Sequence, residues 1–334
     1  MRLEKLTQLL VLLALVISCN QKAVRVEVDS SVGSDEFALV LPDWLSEPMI
    51  PKDNPLTKAK VELGRRLFFE RALSKDSSIS CASCHLESFA FSDTIALSAG
   101  ASGRHATRNT PSILNIAYAP RLMAEGGVKN LELQVLSPLE NELEMNMSVN
   151  GACDRLNADS KYRADFERVW SDSATPFTLT RTLAAFERTL IGGDAPYDKF
   201  LRGDSNALSK SAQSGLALFT ESGCINCHSG PLFTNYKLEN NGLDERYLDN
   251  GLFRLTLLAS DMGKFKVPTL RNVELTAPYM HDGRFITLRE VLVHYNSGGK
   301  NHPNKSERVR PLNLSEKQLS DLEEFLLSLT QEFK

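Results

Sequence analysis

The strongest constraint on this chain is a pentad that occurs twice, Cys81-Ala82-Ser83-Cys84-His85 and Cys224-Ile225-Asn226-Cys227-His228. A C-x-x-C-H run places two thiols and an imidazole within one turn of backbone. At that spacing the cysteines add to the two vinyl groups of a haem and the histidine lies under the iron. Two such pentads mean two covalently held haem c groups. Zinc or redox pairs would need further ligands or a thioredoxin-like context, and neither accompanies the pentads. The chain has six cysteines in 334 residues, four of them in the pentads, which leaves no basis for a disulfide-stapled scaffold.

The surroundings of the pentads repeat each other. Gly64-Arg65-Arg66-Leu67-Phe68 precedes the first and Gly215-Leu216-Ala217-Leu218-Phe219 the second. Pro111-Ser112-Ile113-Leu114-Asn115 matches Pro268-Thr269-Leu270-Arg271-Asn272, an offset of 157 (268 minus 111), and Met123, Glu125 and Gly126 fall on Met280, Asp282 and Gly283 at the same offset. An internal repeat of this length reads as a tandem of two domains. Apolar residues at i, i+3, i+4 spacing predict helices over 56–69, 162–170, 179–190, 208–219, 288–295 and 315–329. Strand signals are sparse, so the fold class is mainly α, with two tandem haem domains expected over 46–200 and 201–334.

Arg2 and Lys5 precede an unbroken apolar run from Leu9 to Ile17, too short for the ~20 residues that span a bilayer. Residues 1–18 therefore read as a signal peptide. Val16-Ile17-Ser18-Cys19 is similar to a bacterial lipobox, which makes Cys19 the expected lipidated N-terminus and 19–45 a flexible tether. The expected location is the periplasm, with membrane attachment by the lipid alone. The net charge of -4 and the lack of long like-charge runs argue against nucleic acid as a partner.

The residues resemble the bacterial di-haem cytochrome c peroxidase family, and most closely its MauG-like branch. The resemblance runs from about Asn54 to Leu329. It rests on the two pentads, on Arg108-Asn109-Thr110-Pro111-Ser112, on Ser137-Pro138-Leu139-Glu140-Asn141 with Glu144-Met145, and on Lys266-Val267-Pro268 through Asp282-Gly283. It implies two cytochrome-c-like helical domains with a calcium ion between the haems, held by the Asn109 side chain and the backbone carbonyls of Thr276 and Pro278. It also implies a first haem on Cys81, Cys84 and His85 that reacts with hydrogen peroxide. Gln134 would orient the peroxide there and Glu144 would move its protons. The second haem, on Cys224, Cys227 and His228, would store or relay an electron. The implied donor is a small cytochrome c or cupredoxin-like protein, and a homodimer is compatible with the family.

The repeat offers its own test of the distal ligands. At the 157-residue offset Pro138 falls on Tyr295. Proline has no side-chain lone pair for iron, whereas a tyrosinate is a haem ligand, so the first iron is expected to be open and the second closed by Tyr295. Met262 and Met280 are the rival ligands for the second iron. His105 reads as a surface-loop histidine, since the family's switchable ligand falls at Ala101. His281 is expected near a haem edge by the same resemblance. His294, His302 and Cys153 carry no signal.

Two departures qualify the resemblance. The inter-haem tryptophan of the family is Ala124 here, and the surface tryptophan through which MauG oxidises its protein substrate is Ser222. Three functions compete: a peroxidase, a MauG-like oxidase that modifies a partner protein, and a non-catalytic di-haem electron carrier. An open first iron separates the first two from the third.

Overall fold

The structure is a computed structural model that describes residues 35–331. The signal segment, Cys19 and most of the expected tether lie outside the described residues. The helices are α1 (Lys58–Phe68), α2 (Leu131–Gln134), α3 (Leu136–Glu140), α4 (Val149–Ala158), α5 (Ser160–Trp170), α6 (Pro176–Glu187), α7 (Pro196–Leu201), α8 (Lys210–Glu221), α9 (Phe253–Thr256), α10 (Leu288–Ser297) and α11 (Glu316–Leu327). Two-residue strands β1 (Leu238–Glu239) and β2 (Phe265–Lys266) pair antiparallel, with Leu238 opposite Lys266. Among the described residues no helix is long and apolar enough to cross a membrane.

The long helices start where a hydroxyl can satisfy an orphan amide. Thr57, Thr175, Ser209, Thr287 and Ser315 are N-caps whose side chains accept from Lys60, Thr178, Ala212, Glu290 and Gln318 amides. Each such cap stabilises its helix by about 1 kcal/mol. The sequence pattern missed α4. Its buried Ala152, Cys153 and Leu156 follow Val149 at helical spacing, but Asn150, Gly151 and Asn157 are poor helix formers, and burial against the core overrides them.

Two apolar clusters organise the body. In the first, α1 and α6 pack with α4 around Leu63, Leu67, Phe68, Leu156, Leu183 and Phe186. In the second, α8 and α11 pack with α10 around Phe219, Leu292, Leu322 and Phe325. The repeat is visible in the packing. Phe68 and Phe186 rings lie 5.2 Å apart, and Phe219 and Phe325 rings 5.1 Å apart, at interplanar angles of 57° and 59°. Glycine makes both close approaches feasible: a Cβ on Gly64 would lie 2.8 Å from Phe186 Cβ, and one on Gly215 2.8 Å from Phe325 Cβ. Each would also collide with a backbone carbonyl of the partner helix, which cannot yield as a flexible side chain could.

Residues 36–45, read from sequence as the end of a tether, are part of the folded body. Phe37 N donates to Leu56 O at 3.1 Å, Leu45 is buried, and Trp44 stacks on the Arg271 guanidinium at 4.1 Å. Polar composition concealed this, because a few apolar anchors, Phe37, Leu39, Trp44 and Leu45, suffice to hold an extended segment. Arg271 in turn makes a bidentate, buried pair with Asp198 of α7, both bonds 2.8 Å. Tyr197 of the same short helix packs into the second cluster against Phe233 and Phe325.

Candidate functional site

Each pentad forms a single 3-10 turn, Cys81–Ser83 and Cys224–Asn226, with the histidine just beyond it. His85 Nδ1 lies 2.8 Å from Phe91 O and His228 Nδ1 3.0 Å from Phe233 O. A carbonyl can only accept, so Nδ1 carries the proton in both rings and Nε2 presents a lone pair. This is the tautomer an axial haem ligand requires, with the ring oriented by backbone. Burial pushes the His228 imidazole down to about 4 and lowers His85, so both are neutral and ready to ligate. Burial likewise pushes the Cys81 thiol up to about 12 and Cys84 and Cys224 up to about 11, so without haem these thiols stay protonated. Among the described residues no three His, Cys, Asp or Glu side chains converge as a metal site.

Around the first pentad the chain builds a polar wall. Ser98 Oγ bridges Asp93 at 2.5 Å and Thr110 at 2.7 Å, and Cys84 lies close enough to Ser98, Asp93 and Glu144 for all three to influence its thiol. Glu144 reaches that position through a tight turn after α3, in which Met145 N donates to Pro138 O and Ala101 N donates to Glu144 O. Asn141 Nδ2 donates to Glu144 Oε1 at 2.6 Å. Burial raises the Glu144 carboxyl above the usual range and the Asn141 bond offsets only part of this. Gln134 ends α2, separated from α3 by Val135 alone, and its side chain makes no hydrogen bond within the described residues. Ala101 and His105 lie on the adjoining loop; His105 is exposed, with Nδ1 3.3 Å from Leu97 O.

The second site differs. Tyr295 of α10 is turned toward Cys224 and Cys227, and burial raises its phenol. Asn241 Nδ2 donates to Tyr295 Oη and to Met280 Sδ, both at 3.4 Å. The fold thus gathers Tyr295 and Met280, rival ligands for the second iron, onto a single amide, and Asn241 itself carried no signal in the sequence. Met262 instead serves through its backbone, its carbonyl accepting from Asn240 and Asn304 side chains. His294 Nε2 is 3.1 Å from Asn241 O, and His302 Nδ1 accepts from Asn304 N.

Arg108 of the first half holds Asp249 of the second through Nε (2.5 Å) and Nη2 (2.9 Å) and also pairs with Glu125, which Arg254 engages as well. The sequence repeat flagged Glu125 only as the counterpart of Asp282. His281 stacks on Phe265 with centroids 4.1 Å apart and planes at 15°, and the Arg108 guanidinium also lies over the Phe265 ring. Asn109 N donates to His281 O at 2.8 Å, which brings Asn109 to the segment containing Thr276 and the cis Ala277-Pro278 bond. The Asn109 amide nitrogen is committed to Ile95 O and Ala96 O, both 3.2 Å, so Oδ1 is the atom it has left for a cation.

Two C-x-x-C-H turns with oriented histidines on one largely helical body define a candidate di-haem c protein. Residues 58–206 match the di-haem cytochrome c peroxidase family. The chain is 38% identical over 84% of its length to the methylamine utilization protein MauG of Methylorubrum extorquens, covering 81% of that protein. It is 34% identical to the cytochrome-c peroxidase IdrP1 of Denitromonas iodatirespirans, covering 92% of this chain and 91% of that one. A crystal structure of a MauG-like protein associated with microbial copper homeostasis superposes with a TM-score of 0.83 at 33% identity, over 89% of this chain and 96% of the other. The chain belongs to the di-haem cytochrome c peroxidase family that includes MauG, and is a haem oxidoreductase of the peroxidase class.

Proposed function

We propose that this is an exported peroxidase of two tandem c-type haem domains, reducing hydrogen peroxide with electrons from a small cytochrome c or cupredoxin-like donor. The observation that supports the reading is a contrast between the two pentads: a half-buried, hydrogen-bonded Glu144 near Cys84, against Tyr295 near Cys224 and Cys227, where the repeat has Pro138 in the first half. Held by Cys81, Cys84 and His85, the first haem would supply an iron able to polarise the peroxide O–O bond. Glu144 accepts the proton of the near oxygen and delivers it to the leaving one, while Asn141 fixes the carboxyl's orientation. Gln134 orients the peroxide as a neutral donor. His85 and His228, oriented by Phe91 O and Phe233 O, would each ligate one of the two irons. Ser222 in place of MauG's surface tryptophan disfavours oxidation of a partner protein by that route. The ferric protein is expected to give one high-spin and one low-spin signal by electron paramagnetic resonance, with peroxide consuming the high-spin signal. Two low-spin irons in both redox states would leave only an electron carrier.

A calcium ion between the two haems fits the juxtaposition of Asn109 with the Thr276–Pro278 segment, since calcium takes neutral carbonyl oxygens and keeps waters where the protein supplies few. Treatment with chelator is expected to remove one calcium per chain and lower activity, restored by added calcium. Protein without calcium beforehand and unchanged activity afterwards would refute it.

Cys19 serves in this reading as a diacylated, N-acylated anchor holding the enzyme to a membrane facing the periplasm. Cys19→Ala should move the protein from the membrane to the soluble periplasmic fraction; wild type already wholly soluble would contradict the anchor.

A further inference from the structure

The strand β2 joins backbone from the two halves of the chain. Lys266 N donates to Ala124 O at 2.7 Å, on the first-pentad half of the chain and at the position where the family carries its inter-haem tryptophan. Val267 N donates to Lys237 O at 2.8 Å, Val267 O accepts from Thr234 Oγ1 at 2.7 Å, and the Pro268 carbonyl faces the His228 imidazole. Lys266 therefore sits two residues from the backbone that lies against the second haem's histidine.

Its ammonium has one hydrogen bond, to Arg121 O at 3.2 Å, and two further N–H donors. Desolvation alone lowers it, to about 8, with no carboxylate acting to raise it. The acids along this seam are engaged elsewhere: Glu125 with Arg108 and Arg254, Asp249 with Arg108, Glu239 with Arg308. A half-buried cation without a counter-ion is costly, and it is retained where an anion completes it. Haem c brings two propionate carboxylates of its own.

We propose that Lys266 is the counter-ion of a propionate of the second haem, and through that pair sets the haem's potential. The inference rests on the two-haem reading above. With tryptophan absent at position 124, the ammonium takes up the polar edge of the cofactor at the seam. A fixed positive charge beside the propionate favours the reduced haem, because reduction adds a negative charge to the same group.

The test uses the haem-loaded full-length protein. Haem content is measured first, and fewer than two haems per wild-type chain would fail the two-haem reading itself. Spectroelectrochemical titration then compares wild type with Lys266→Met, which keeps the alkyl stem. The second haem's ferric-to-ferrous ratio at fixed potential is expected to rise at least threefold, a downward shift of about 28 mV. Lys266→Arg should keep the wild-type potential and Lys266→Gln should lower it, so the outcome does not hang on one variant loading haem. In wild type, the propionate bending band in resonance Raman should shift in D2O. An unchanged second-haem potential in the neutral variants, or a propionate band insensitive to D2O, would overturn the proposal.

Discussion

Glu144→Gln is expected to keep both haems and the high-spin first iron while losing about 10²–10⁴-fold in peroxide turnover, the range a positioned acid–base group contributes. Glutamine preserves the shape and can still engage Asn141, so a loss reports the proton-transfer role and not a collapsed turn. The pH profile supplies a second readout. Glu144 must be ionised to take the peroxide proton, and burial raises its carboxyl. Wild-type activity should fall as pH drops through a value above the ordinary carboxylate range, and that acid limb should vanish in Glu144→Gln. Full activity in the variant would refute the assignment and leave the open iron without its acid–base partner.

Tyr295→Phe is expected to remove the phenolate from the second iron. The second haem should lose its phenolate-to-iron charge-transfer absorption and its low-spin ferric signal. Its potential should rise, because an anionic oxygen ligand favours the ferric state and axial ligation tunes haem potentials over about 0.8 V. Met280 complicates this in an informative way. Its sulfur shares the Asn241 amide with Tyr295 Oη, so a methionine ligand lies within the same pocket once the phenol is gone. A methionine-to-iron band that emerges only in Tyr295→Phe, and disappears in the Met280→Leu double variant, would identify Met280 as the fallback ligand. The same band in wild type would instead mean that Met280, and not Tyr295, closes the second iron.

The sequence by itself determined the haem attachment sites, because covalent spacing is local: Cys81, Cys84 and His85, and their counterparts, need only five consecutive residues to define their chemistry. It also determined the capped helices and the duplicated glycine–phenylalanine pattern of α1 and α8, since those follow from local propensity and period. What packs opposite each pentad comes from segments remote in the chain, where only the 157-residue repeat and the family resemblance spoke and the partners of those residues had no signal. Only the tertiary structure set Glu144 beside Cys84, joined Asn241 to both Met280 and Tyr295, packed residues 36–45 onto the body and left Lys266 desolvated without a carboxylate. Such relations depend on which surfaces meet after the two apolar clusters form. A single asparagine or lysine carries no periodicity by which the sequence could announce its partner.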